Sequence, residues 1–285
     1  MIGENDYHLQ DPTWCPGCGI YSIFAVMKKM AAALHIKPEE LVVVTGIGCH
    51  GRLNNYFYAN GFHALHGRAL PLATGIKLAN SRLKVVVVSG DGDAYSIGLG
   101  HFIHAVRRNI NLTFIVVNNM IYGLTQGQTS PTSRMGFTSV STPFGSSESP
   151  LDGPRLALAS EGTFIARGYS GDPGMLLSLM EQGFQHSGFA LIEVLSPCVT
   201  HNKMNTYEWF KDHMFRIEEE EGYEPYSREK AWEFLGRKEK FALGVIYREE
   251  RPSFDDLLFA GKRPLVRSQL DVDSKKMEAI LEKFE

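Results

Sequence analysis

No apolar run in the chain is long enough to cross a membrane; the longest strand-like one, Val85–Val88 with its flanks, is far too short. The opening residues, MIGENDYHLQDP, lack a positively charged segment leading into an apolar one, so no secretory signal is expected and the cytoplasm is the expected compartment. Charge of one sign is also scarce. With 29 Lys and Arg against 32 Asp and Glu the net charge is −3, and no basic surface for nucleic acid or an anionic membrane is expected. There is no internal repeat and no low-complexity tract, so neither a solenoid nor a compositionally biased segment is indicated. Cysteine is limited to residues 15, 18, 49 and 198. In a reducing compartment an even count does not imply disulfides, but four thiols with one tight pair, Cys15-x-x-Cys18, match a tetrahedral metal site or a cluster held by four thiolates.

What is present is an ordinary globular composition, 44% hydrophobic over 285 residues with 28 glycines, enough to bury a sizeable core. Helix-spaced apolar residues over Ile20–Leu34 precede a short β-branched run, Leu41–Thr45. A helix over Leu70–Asn80, a strand over Lys84–Ser89, a helix over Ser96–Arg108 and a strand over Leu112–Asn118 follow. Gly162–Arg167 and Phe189–Leu195 read as further strands with a helix over Met175–His186 between them. This alternation predicts an α/β fold with a doubly wound parallel sheet. Gly123–Pro154, rich in Gly, Ser, Thr and Pro and without a periodic segment, reads as a long ordered loop, of a length that is usually functional or disordered. Beyond Cys198 the chain becomes charged and shows no strong strand, so helices and extended arms on the outside are expected there. Residues 1–205 are taken as one domain and 206–285 as a C-terminal extension packing on that domain or on a partner.

The second strand ends in SGDGDAYSIG, residues 89–98. A dinucleotide fingerprint would need glycine where Tyr95 stands, and no G-x-x-x-x-G-K-[ST] loop occurs, so neither common nucleotide loop is available. Residues 93–117 separate this GDG from Asn118–Asn119 at the next strand end. That pairing resembles the diphosphate motif of thiamine-diphosphate enzymes. Asp91 and Asn119 would offer hard oxygen ligands to Mg²⁺, with the Ile121 carbonyl as a third, and the glycines would let backbone N–H groups approach phosphate. Asp93 reads equally well as the cap of the following helix.

The cysteines then fall into a larger pattern. Cys15-Pro-Gly-Cys18-Gly, TGIGCHGR around Cys49, HALHGRALPLATGIKLA, SGDGDAYSIG, NNMIYGLTQGQTSPTS and SPCVT around Cys198 together resemble the β subunit of 2-oxoacid:ferredoxin oxidoreductases, over about residues 10–205 and closest to the branch acting on 2-oxoglutarate. The resemblance implies a diphosphate-domain fold and three cofactors: thiamine diphosphate, Mg²⁺ and a [4Fe–4S] cluster on Cys15, Cys18, Cys49 and Cys198. It places Ile47, Gly48, Cys49, His50, His66, Asp91, Gly92, Asp93, Asn119, Gly123 and Leu124 at the cofactor, with Asp91, Asn119 and Ile121 on the metal. Zinc stays open on cysteine count, although structural zinc sites usually use two tight pairs and here Cys49 and Cys198 stand apart. A redox role for Cys15 and Cys18 alone would leave two thiols unexplained.

The resemblance further implies decarboxylation of a 2-oxoacid, passage of electrons through the cluster to ferredoxin, and capture of the acyl group by coenzyme A, with CO2 fixation as the reverse. No second α/β domain is present to supply the glutamate that activates the aminopyrimidine, so that residue is expected on an α subunit and the chain is expected to be inactive alone. An α/β heterodimer or a dimer of heterodimers is expected. His66 is the candidate catalytic residue of this chain, whereas His63 reads as packing. Arg68, His50 and Arg52 are candidate contacts for anionic groups. The Tyr122–Gln128 loop is expected to border the substrate pocket; many relatives have lysine where Gln126 stands here, so no charge contact is assigned to it. 2-Oxoglutarate is the expected substrate, with pyruvate or broad 2-oxoacid use as the alternative. A non-oxidative thiamine decarboxylase or carboligase, or a zinc-stabilised scaffold, would need no iron.

Overall fold

Runs dominated by valine, isoleucine and leucine form the centre of the molecule, because a strand buried on both faces favours apolar side chains. The structure, a computed structural model, describes residues 2–237, 240–260, 265–267 and 274–283. Helix α1 (Ile20–Ala33) leads into strand β1 (Leu41–Thr45), the short helix α2 (Leu53–Tyr56) and strand β2 (Asn60–His63). Then come α3 (Ala69–Ala79), β3 (Lys84–Gly90), α4 (Leu99–Arg108) and β4 (Leu112–Asn118). A small hairpin, β5 (Ile121–Tyr122) and β6 (Gln128–Thr129), precedes α5 (Gly153–Ala159), β7 (Phe164–Tyr169), α6 (Pro173–Gln185) and β8 (Phe189–Leu195). The chain continues through α7 (Tyr207–Asp212), β9 (Met214–Arg216), α8 (Arg228–Leu235), β10 (Phe241–Arg248), α9 (Phe254–Phe259) and α10 (Ser274–Leu281).

Eight strands make one sheet in the order β2-β1-β3-β4-β8-β7-β10-β9, parallel except where β10 runs antiparallel to β7. Alternate residues of each strand serve opposite faces, which gives two cores. Val43, Val86, Val88, Ile115 and Ile192 pack under α1 and α6, while Val42, Val44, Val85, Phe114 and Leu191 pack under α3, α4, α5 and α8. The expected parallel sheet is therefore present, with helices on both sides. Among the described residues no helix is long and apolar enough to cross a membrane.

Three features depart from the expectations. The segment after Cys198 is not confined to outside arms: β10 is an eight-residue strand, buried over its centre, that extends the main sheet beside β7. Its ladder slips between Val245 and Tyr247, next to Gly244 at φ +119°, where a side chain would collide with Glu218. Helix α4 starts at Leu99 because Asp93–Ile97 form a wider, π-type turn first. Helix α5, capped by the Asp152 carboxylate accepting from the Arg155 N–H, closes the long loop that otherwise holds only turns and β6.

At the end of α6, His186 is locked into the sheet. Thr163 Oγ1 donates to Asn109 Oδ1 (2.6 Å), so it accepts from His186 Nε2 at 2.8 Å and that nitrogen carries a proton. Burial, reinforced by the Arg248 charge, pushes its pKa down to about 4. The unfolded imidazole titrates near ~6.5, so between these values the unfolded chain binds more protons and stability rises with pH. The His186 contribution is complete above the unfolded value and is lost as pH falls toward 4. His186→Gln is expected to flatten the melting-temperature profile across that window by a few degrees, as read by calorimetry.

Candidate functional site

Four parallel strands, β1, β3, β4 and β8, end side by side, and each is followed by one of the motifs read in the sequence. This carboxyl edge is where an open α/β sheet exposes loop backbone to a ligand. The turn after β1 brings Ile47, Gly48, Cys49 and His50 to a cavity of about 470 Å³, and the loop before α3 adds His66. Gly92 and Asp93 come from the end of β3, Asn119 from the end of β4, and Gly123 and Leu124 from the hairpin. Ten of the eleven residues expected at the cofactor, all but the deeper Asp91, line this one cavity.

Asp91 lies beneath it, buried, with Oδ2 accepting the hydroxyls of Ser130 (2.5 Å) and Thr132 (2.6 Å). Burial pushes its carboxyl up to about 6 despite these bonds and the nearby Asp91 and Asn119 N–H groups. Asp91 is the carboxylate of this site that could take a divalent cation. Asn119 Oδ1 accepts the Ile121 N–H at 3.1 Å, closing an Asx turn, while Asn118 Oδ1 accepts the N–H of Met120, whose φ is +61°. Gly92 must be glycine: a Cβ would lie 2.3 Å from the Tyr122 ring, whose hydroxyl donates to the Gly92 carbonyl at 3.2 Å.

Asp93 does not cap its helix. Its Oδ1 accepts from the Gly67 N–H (2.7 Å) and the Ile47 N–H (3.3 Å), tying the β1 turn to the His66 loop. His66 Nδ1 stands 2.9 Å from the same oxygen but is not aligned for a hydrogen bond, and it and Asp93 Oδ2 are buried without partners. Both residues line the cavity, but these two atoms do not open into it: Asp93 Oδ2 lies against the Gly46 backbone and His66 Nδ1 faces Asp93. His50 is buried, accepts the Gly90 N–H on Nε2 at 3.1 Å, and has its pKa lowered to about 4 by burial, with Asp93 opposing; it is neutral and holds the β3 terminus. His63 bonds Thr45 and the Gly51 carbonyl and so pins the turn from outside the cavity. Arg68 reaches His101, and Arg52 reaches Thr13. Gln128 lines the cavity, whereas Gln126, at φ +81°, points away at an exposed turn.

The four cysteines face a second cavity, of about 200 Å³, that shares Ile20, Cys49, Val117, Asn119, Gly123 and Leu124 with the first. Cys15 and Cys18 sit on a turn closed by the Cys18 N–H to the Cys15 carbonyl, with Gly17 at φ +80°. Trp14 Nε1 donates to the Cys49 carbonyl at 2.8 Å, and Asn202, four residues past Cys198, donates to the Asn119 carbonyl at 3.0 Å. Burial first, then the charges of the other three cysteines, push the Cys18 thiol up to about 11; burial, Cys198 and Cys15 raise Cys49 against the pull of Arg52. Cys18 and Cys49 are thereby held as thiols, and a cationic centre would be needed to hold them as thiolates. Among the described residues no three His, Cys, Asp or Glu side chains are gathered in a way that could hold a metal ion, so the thiols ring a cavity instead of converging on a point.

The hydroxyl pair Ser130 and Thr132 was not singled out in the sequence, and neither was the buried ion network behind it. Arg167 Nε donates to Glu193 (2.7 Å) and Nη2 to Asp152 (2.9 Å), while Tyr95 and Asn118 donate to the other Glu193 oxygen.

Residues 46–194 match the C-terminal TPP binding domain of thiamine pyrophosphate enzymes, and residues 198–262 match the C-terminal part of the pyruvate ferredoxin oxidoreductase β subunit. The chain is 42% identical over 237 residues to subunit β of 2-oxoacid:ferredoxin oxidoreductase 1 of Aeropyrum pernix, covering 83% of this chain and 73% of that protein. It is 44% identical over 188 residues to 2-oxoglutarate synthase subunit KorB of Methanocaldococcus jannaschii, covering 66% and 70% respectively. A solved 2-oxoglutarate:ferredoxin oxidoreductase from Magnetococcus marinus, with 2-oxoglutarate, coenzyme A and succinyl-CoA bound, superposes with a TM-score of 0.90 at 35% identity over 98% of this chain and 95% of that one.

Proposed function

Because this chain belongs to the β subunits of the 2-oxoacid:ferredoxin oxidoreductases, we propose that it carries the thiamine diphosphate and iron–sulfur half of an enzyme that converts 2-oxoglutarate, coenzyme A and oxidised ferredoxin to succinyl-CoA, CO2 and reduced ferredoxin. The observation that carries this reading is the shared wall: Cys49, Asn119 and Gly123 border both the diphosphate-motif cavity and the thiol cavity.

Thiamine diphosphate, when bound, supplies the carbon nucleophile for the 2-oxo group and takes up the electron pair released with CO2. This chain's residues do the rest. Asp91 and Asn119 oxygens, with the Ile121 carbonyl, would hold Mg²⁺, and Gly90 and Gly92 line the cavity that the diphosphate would enter. Cys15, Cys18, Cys49 and Cys198 would hold a [4Fe–4S] cluster, whose bulk suits thiols spread around a cavity better than a single zinc ion does. Placement of Cys49 on the shared wall keeps the electron path short. His66, half-exposed at the cavity mouth and lacking a partner for its buried Nδ1, is the group of this chain best placed to touch substrate or hold a proton.

Among the described residues the cavity wall carries Asp93 but no glutamate, so the residue that activates the aminopyrimidine would come from an α subunit. Ile47, Leu65, Ile97 and Leu124 stand exposed on the loops around the mouth, an apolar rim suited to being covered by that partner. An α/β heterodimer, or a pair of them, is the assembly this supports.

Anaerobic purification with any co-purifying polypeptide tests the proposal. About four irons with matching sulfide, one thiamine diphosphate per chain, and ferredoxin reduction that needs both 2-oxoglutarate and coenzyme A are expected. Zinc without iron or thiamine would overturn the proposal, and faster turnover on pyruvate would overturn the substrate.

A further inference from the structure

Asp91 has two carboxylate oxygens, and both of its side-chain hydroxyl donors bond the same one. Both hydroxyl bonds described above end on Oδ2, and the donors are themselves held: the Ser130 N–H donates to Ser133 Oγ at 2.8 Å, and Ser133 Oγ donates to the Met120 carbonyl at 2.5 Å. Ser130, Thr132, Ser133 and Asp91 are all buried, so no water can replace a lost bond cheaply. Thr132 Oγ1 also lies 3.0 Å from Asn118 Oδ1; with one proton to give, it serves the anionic oxygen, which is nearer. Oδ1 accepts no side-chain hydroxyl.

We infer that Ser130 and Thr132 are positioning residues that confine Asp91 to one-oxygen ligation of the divalent cation and thereby set the site's preference for Mg²⁺ over Ca²⁺. The inference rests on the reading of Asp91 as a cation ligand. Its physical basis is the difference between the two ions. Mg²⁺ demands a small octahedron and takes carboxylates through one oxygen, whereas Ca²⁺ accepts six to eight oxygens and readily takes both oxygens of a carboxylate. To bind an ion through both, Asp91 would have to give up two short hydroxyl bonds in a buried place. The clamp also fixes the Asn118–Met120 turn through Ser133, so Asp91 and Asn119 are presented as one preset pair.

The test uses the purified complex stripped of metal and cofactor. Mn²⁺ binding in the presence of thiamine diphosphate is followed by electron paramagnetic resonance, with Mg²⁺ and Ca²⁺ as competitors. The wild type is expected to bind Mn²⁺ and to yield it to Mg²⁺ more readily than to Ca²⁺. In the doubly substituted complex, Ser130→Ala with Thr132→Val, the Mg²⁺-over-Ca²⁺ ratio is expected to fall by about tenfold, the usual scale for an outer-sphere partner. Thr132→Ser, which keeps the hydroxyl, is expected to retain the wild-type ratio. An unchanged ratio in the double variant that still binds Mn²⁺ overturns the inference. If the double variant does not fold by circular dichroism, Thr132→Val alone carries the comparison, and a wild-type ratio there overturns it equally. Failure of the wild-type complex to take up Mn²⁺ at all defeats the cofactor reading itself, and the inference with it.

Discussion

Replacing Cys49 with serine is expected to strip iron from the complex and lower ferredoxin reduction by more than ~100-fold, while thiamine diphosphate stays bound. The substitution leaves the backbone untouched, so the Trp14 indole keeps its bond to the residue 49 carbonyl and the turn after β1 keeps its shape. What changes is one of four thiols around the smaller cavity, at the point where it meets the larger one. A serine hydroxyl is a poor substitute for a thiolate toward iron, so cluster loading is lost at the outset. The binding of the diphosphate rests on other atoms: Asp91, Asn119 and the glycines of the β3 and hairpin turns. Iron and sulfide per chain, the visible absorbance bleached by reductant, and bound thiamine separate these effects. Retained iron with retained turnover would remove Cys49 from the ligand set. Joint loss of iron and thiamine would mean that Cys49 shapes the cofactor cavity itself.

The same two cavities explain which parts of the molecule the sequence discloses. Strands β1, β3, β4 and β8 are buried on both faces, and burial on both faces forces an unbroken apolar run that needs no partner to be recognised. Their carboxyl ends carry short motifs whose chemistry is local: the TGIGC turn after β1, a GDG turn at the end of β3, an Asx turn at Asn119 after β4 and SPC after β8. Those motifs lead to the cofactor cavity because parallel strands bring their ends together. The edge strand β2, Asn60–His63, is exposed along its length and reads as Asn-Gly-Phe-His, so nothing in it signals a strand until β1 supplies the ladder. β10 did carry a signal, the apolar Phe241–Tyr247 run, masked by the charged residues on either side. α5 announced itself only by Asp152 followed by Gly-Pro, a cap that makes sense once the helix is known.

Side-chain partnerships across the sheet have no such local sign. Ser130 and Thr132 look like loop residues in a Ser- and Thr-rich stretch; only the fold puts both hydroxyls on one oxygen of Asp91, some forty positions earlier. Asp93 shows the opposite case. Its position just after the GDG suits a helix cap, yet the carboxylate turns back to bind the N–H groups of Ile47 and Gly67, because the wide turn over Asp93–Ile97 frees it from its own helix.

Behind the site, Arg167→Met is expected to cost about 3–5 kcal/mol of folding stability, the range for removing one member of a buried ion pair. Arg167 is 2% exposed and Glu193 1%, and Asp152 shares the guanidinium. The group is not there to maximise stability, since paired buried charges regain little beyond their desolvation. It holds Asn118 through Glu193, and Asn118 sets the turn that presents Asn119. Burial pushes the Glu193 carboxyl up while the neighbouring Arg167 charge opposes it. Without Arg167 that opposition disappears and the rise is larger. A carboxylate whose folded pKa lies above its unfolded value binds an extra proton in the native state, so stability falls as pH rises through the window between the two values. The deficit of the variant relative to the wild type is therefore expected to be smallest near the unfolded carboxylate value and to widen toward neutral pH. Glu193→Gln added to Arg167→Met removes the stranded charge and is expected to recover part of the loss and to abolish the pH dependence. Chemical denaturation of the four proteins of that cycle at two pH values provides the measurement, and an Arg167→Met deficit that is the same at both would show that Glu193 is not the stranded group.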